Sequence, residues 1–178
     1  MSLGWGRVVF VLIAVVVLAG VVGYVAPAFG QADEAAASIF GINLPSGYRD
    51  WKLISVAHEE GDLNDLRAIL GNDVAIKACR EGRLPFPDGT IIARLAWNYV
   101  PSEENNKVFG RSQSFVAGLP KNGVQFMVKD SKKYASTGGW GFAQFNAGKP
   151  ANEAVHKTCF SCHEPVKDRD FVFTRYAR

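Results

Sequence analysis

The stretch IIARLAWNYV, Ile91–Val100, is rich in β-branched and aromatic residues and directly follows the turn-forming run PFPDGT, Pro85–Thr90. That composition reads as a β-strand launched from a tight turn. Two further strand-like stretches follow, SQSFVAGL (Ser112–Leu119) and VQFMVK (Val124–Lys129). The PKNG between them reads as a hairpin turn. GWGFAQF, Gly139–Phe145, continues the pattern after a one-turn helix expected at SKKYA, Ser131–Ala135. DFVFTRY, Asp170–Tyr176, reads as a closing strand.

Upstream, YRDWKLISVAH (Tyr48–His58) alternates β-branched and aromatic residues until HEEGDLND breaks it with charge and glycine. In GNDVAIKACREG, Asn72 is placed to cap a helix and Gly82 to close it. PANEAVHKT, Pro150–Thr158, reads as a second helix running into two cysteines. Strands outnumber helices. The expected class is α+β, a mainly antiparallel sheet with a few short helices.

The first residues stand apart from this body. After Arg7, the run from Val8 to Val25 carries no ionisable group except the Tyr24 phenol. Residues 1–32 therefore read as an export signal peptide or a retained membrane anchor. The small and charged residues of 33–43 read as a linker, and 44–178 has the size of one domain. Lysine and arginine number 20 against 17 acidic residues, without a basic run, so no nucleic-acid partner is expected.

TCFSCHEP, Thr158–Pro165, carries the chemistry. Cys-x-x-Cys-His is the attachment motif of c-type haem: two thiols reach the vinyl groups and the following imidazole meets the iron. Cys159 and Cys162 are the expected thioether residues and His163 the axial ligand, with one haem c bound covalently per chain. An export segment agrees with this, because haem c is attached outside the cytoplasm. A zinc site would need two more soft ligands from Cys79, His58 and His156, which form no recognisable pair. A thioredoxin-like dithiol would need a βαβ setting. A disulfide across two residues would be strained and would leave His163 unexplained. Cys79, among apolar residues on the first helix, reads as an inert buried thiol.

No side chain stands out as a sixth ligand. Strand alternation puts Met127 on one face with Gln125 and Lys129, a polar face expected at the surface. His58 ends a charged strand, and His156 lies only seven positions before His163 on the same helix. The iron is expected to be five-coordinate, in a pocket lined by aromatics.

YRDWKLI, FPDGTIIAR, VKDSKKYA followed by GWGFAQF, TCFSCH and DFVFTRY, in that order, resemble the cytochrome P460 family over Tyr48–Tyr176. The resemblance implies a β-rich, homodimeric, periplasmic haem c protein with an open distal site. It also implies that hydroxylamine-oxidising members carry a lysine bonded to the porphyrin, four residues after the Asp-Gly-Thr. Here that position is Arg94. A guanidinium stays protonated and is a poor nucleophile, so it does not replace the amine. The chemistry looks nearer to the related cytochrome c′-beta proteins, which lack the cross-link and bind nitric oxide. Arg94 would then contact a distal ligand or a haem propionate. Three functions follow: a protein binding or detoxifying nitric oxide or a related nitrogen oxide, an electron carrier ligated by Met127 that serves a redox partner protein, or a hydroxylamine oxidoreductase cross-linked through another lysine such as Lys77 or Lys129.

Overall fold

The computed structural model describes residues 40–178. The signal or anchor segment read at 1–32, and the linker up to residue 39, lie outside the described residues. Phe40 and Ile42, from the end of that linker, pack into the domain: Ile42 is buried, and Phe40 meets Tyr134 and Phe142 edge to face.

Six strands form one antiparallel sheet whose spatial order is their sequence order: β1 (Lys52–Glu59), β2 (Asp65–Gly71), β3 (Ile91–Pro101), β4 (Phe115–Lys129), β5 (Trp140–Asn146) and the two-residue β6 (Lys149–Pro150). Three helices interrupt the meander: α1 (Asp73–Glu81), α2 (Glu103–Phe109) and α3 (Glu153–His163). The chain is α+β, as its strand-dominated sequence implies.

The expected caps of α1 are in place. Asn72 Oδ1 accepts from the amides of Ala75 (3.0 Å) and Ile91 (3.1 Å), while its Nδ2 donates to Gly89 O (2.8 Å). One side chain thus ties the start of α1 to the start of β3. Gly82 closes the helix at φ 63°, a left-handed conformation that glycine adopts without a Cβ clash. Helix α2 is built from Ser102, which caps Asn105 N, and from Gly110 at its end. It fills the connection between β3 and β4, where no helix is expected from the sequence.

Three expectations are corrected. PKNG is not a hairpin turn: β4 runs straight through it, because the register with β3 slips between Leu95, Trp97 and Tyr99 and absorbs the irregularity as a bulge. Asn122 and Gly123 take positive φ inside the strand, so their turn-like chemistry serves the bulge. DFVFTRY is not a strand. Asp170 and Phe171 both have positive φ, which breaks any extended run at its start. Finally, Met127 is not on a solvent-facing surface but 9% exposed, within the core. Both faces of the sheet are covered, so polar neighbours on a strand do not mark the outside.

Residues directly opposite in the register share a face. One face carries Ile69, Ile92, Met127, Trp140 and Phe142, and is covered by Ile76 and Ala78 of α1, Cys159 and Phe160 of α3, and Val172 of the final segment. The other face carries Leu70, Ala93, Leu95, Val124, Phe126 and Phe145, covered by Ile42, Tyr48, Trp51 and Tyr134. Trp140, Phe126 and Phe145 are almost wholly buried. Each contributes on the order of 2–3 kcal/mol from removing its ring from water.

Candidate functional site

The Cys-x-x-Cys-His motif occupies the last turn of α3, which lies against β5. Asn152 caps this helix by accepting from Val155 N at 3.0 Å. His156 then docks it: the ring is 1% exposed, and its Nε2 accepts the backbone N–H of Gln144 at 2.9 Å. His156 therefore acts as a structural contact between helix and sheet, less than one turn before the motif.

Cys159 and Cys162 are free thiols. Cys159 is half-buried, and burial, then the neighbouring Cys162, pushes its pKa above the ordinary thiol value. Cys162 is exposed. His163 lies between the rings of Phe142 (5.1 Å, 46°) and Phe173 (5.2 Å, 63°). Its Nδ1 stands 2.7 Å from Phe171 O. A carbonyl only accepts, so Nδ1 carries the proton and Nε2 keeps the lone pair. Burial lowers the His163 pKa, against the opposing pull of that hydrogen bond, so the neutral imidazole is favoured.

This donor set fits haem c. Two unpaired thiols and a neutral, oriented imidazole with a free Nε2 are what thioether attachment and axial ligation require.

Arg94 lies on the motif's face of the sheet. The register aligns Ile69, Arg94, Gln125 and Gln144 in one row across β2 to β5, next to the apolar row Ile92, Met127 and Phe142. Arg94 is neither on an edge strand nor solvent-facing: its side chain is 17% exposed. It donates to Asp65 Oδ2 at 2.7 Å and to Gln125 Oε1 at 3.0 Å. Gln125 passes the chain of hydrogen bonds to Gln144 Oε1 at 2.7 Å. Asp65, wholly buried, also receives Arg67 through Nε (2.8 Å) and a second nitrogen (2.9 Å). Burial and the nearby Arg67 push the Arg94 pKa down, and Asp65 opposes them. Asp65, at the end of the charged break HEEGDLND, gives no sequence signal of this role.

The remaining candidates fall elsewhere. His58 stacks on Tyr99 (3.9 Å, 22°), which stacks on Phe115. Cys79 packs at the edge of the apolar cluster, its thiol pKa raised by burial. Lys77 is exposed on α1 beside Glu81. Lys129 is buried, 2.6 Å from Asp170 Oδ1.

A meander sheet that carries Cys-x-x-Cys-His on a docked helix, with the histidine oriented by a carbonyl, defines a c-type cytochrome built on β-structure. The cytochrome P460 family model matches residues 45–174. The chain belongs to the cytochrome P460 family, and haem c is its cofactor. A comparison with curated proteins gives no match.

Proposed function

We propose that this cytochrome binds nitric oxide or a related nitrogen oxide at an open distal position of a single haem c, held by thioethers to Cys159 and Cys162 and by His163 Nε2. We further propose that it works in the periplasm as a homodimer, free or anchored through residues 1–32. Haem c supplies a redox-active iron with room for a diatomic ligand.

One observation carries this reading. The position of the family's cross-linking lysine holds Arg94, fixed by Asp65 and Gln125 on the face of the sheet that also bears the motif. A guanidinium so held forms no bond to carbon but donates charge-assisted hydrogen bonds. The chemistry is then nearer to the cross-link-free cytochrome c′-beta proteins than to hydroxylamine oxidation. Lys129 is committed to Asp170 and Lys77 to the surface, which weighs against either as a substitute.

The burial of Met127 on the motif's face favours a second reading, a six-coordinate electron carrier. Optical spectra of the holoprotein separate the two. High-spin, five-coordinate bands support ligand binding, low-spin bands support Met127 ligation, and a strongly red-shifted Soret band returns the cross-linked enzyme.

Arg94→Ala tests the ligand contact. A hydrogen bond from a charged donor contributes about 1.5–3 kcal/mol. Nitric oxide dissociation from the ferrous protein should change by about ten- to a hundredfold, with the haem retained. An unchanged rate sinks the role of Arg94. Peptide mapping that joins haem to any residue besides Cys159 and Cys162 sinks the proposed chemistry.

A further inference from the structure

We propose that the buried Lys129–Asp170 ion pair positions the Phe171 carbonyl that holds His163, and so sets how strongly the imidazole donates to the iron. This rests on the reading of His163 as axial ligand.

Asp170 is tied at both oxygens. Oδ1 meets Lys129 Nζ from β4 at 2.6 Å, and Oδ2 accepts the backbone amide of Phe86 at 2.8 Å, from the turn before β3. Lys129 Nζ also donates to Gly138 O at 3.1 Å and sits 4.9 Å from the centre of the Trp140 ring. Lys129 and Asp170 side chains are 7% and 8% exposed. Two charges at that depth are costly to desolvate, and an apolar pair of similar volume would serve packing as well. Their presence asks for another reason.

The backbone supplies one. Asp170 (φ 51°) and Phe171 (φ 64°) both sit in the left-handed region, which a bulky residue adopts only when its surroundings over-determine it. Those surroundings are the ion pair and Gly138. The Phe171 ring lies so close to Gly138 that a Cβ there would come within 2.2 Å of it, and Gly138 is also the residue whose carbonyl Lys129 engages. Carboxylate, ammonium and ring all converge to fix Phe171. Its amide goes to Val166 O at 3.1 Å, and its carbonyl goes to His163 Nδ1 at 2.7 Å.

An Nδ1–H bonded to a firm acceptor makes the imidazole a stronger donor at Nε2. Stronger donation favours ferric over ferrous iron and lowers the reduction potential. The acceptor here is only as firm as the segment that carries it. Lys129 and Asp170 are thus positioning residues, acting through Phe171.

The test uses Asp170→Asn holoprotein, which keeps an acceptor for Phe86 and removes the charge. The Lys129→Gln/Asp170→Asn double variant replaces the ion pair by two neutral amides and carries the same test where the single variant does not load haem. Resonance Raman of the ferrous protein reads the iron–histidine stretch, and redox titration reads the midpoint potential. The stretch should fall and the potential rise, with haem still attached. Gly138→Ala, which leaves both charges in place but displaces the Phe171 ring, should also move the stretch. A folded, haem-loaded variant of the ion pair with both readouts unchanged overturns the inference alone. Lack of imidazole ligation in the unsubstituted protein overturns the reading of His163, and the inference with it.

Discussion

Asp65 has no solvent contact, yet two guanidiniums meet on its carboxylate, and Glu59 lies 3.3 Å from Arg67 on the other side. Two carboxylates and two guanidiniums make the cluster neutral. Removing Asp65 leaves the largely buried Arg67 and Arg94 repelling one another. Asp65→Ala should cost about 3 kcal/mol or more, read by urea unfolding of the holoprotein. It should also free Arg94, so that nitric oxide kinetics change along with stability. A cost within about 0.5 kcal/mol, the range of ordinary surface substitutions, would show that the cluster is solvated and not structural. Arg94 itself is legible in the sequence through its place after Asp-Gly-Thr. Its partners are not: Asp65 and Gln125 lie on neighbouring strands, and only the register brings them within reach.

At the scale of the element, β4 shows where local chemistry misleads. Asn-Gly is a strong turn signal, because both residues tolerate positive φ. In β4 the same tolerance serves a bulge, and the strand continues because β3 offers partners on both sides of it. Gly123 is fixed there twice, by φ 58° and by Phe145 O, which would stand 2.1 Å from a Cβ. Gly123→Ala should therefore destabilise by on the order of 1–3 kcal/mol from the backbone alone, with the clash adding to it. Thermal unfolding checks this; an unchanged midpoint would mean that the bulge relaxes freely. Helix α1 was readable because Asn72 and Gly82 act within one turn of where they stand. The segment after Asp170 is not, since the partner of Asp170 is Lys129, 41 residues back along the chain but adjacent in space. Met127 and Lys129 fail the alternation rule for a related reason: with both faces covered, the rule marks sides and cannot say which is outside.

For the whole molecule, His163 couples stability to pH. Its folded pKa is lowered by burial, while the unfolded chain titrates near the ordinary value of about 6.5. Below that value the unfolded state binds a proton that the folded state resists, so stability falls as pH falls from about 6.5 toward the folded pKa. The haem-free chain should lose stability as pH falls through about 6.5, above the range of Asp73, Asp88 and Glu153, whose shifts are all downward. In the haem-loaded protein, with Nε2 engaged, that slope should vanish. Denaturant titrations of both forms across that pH decide it, and equal slopes would mean that His163 does not govern the effect.

Because every strand pairs with its neighbour in sequence, no pairing waits for a strand later than the next one made. The last strand, β6, ends at Pro150, ahead of both motif cysteines. A chain folding in the order in which it is made has Gln144 and Phe142 in place before α3 arrives. For such a chain the sheet side of the site precedes Cys159 and His163, and Phe171 and Phe173, which follow them, close over the imidazole from the other side.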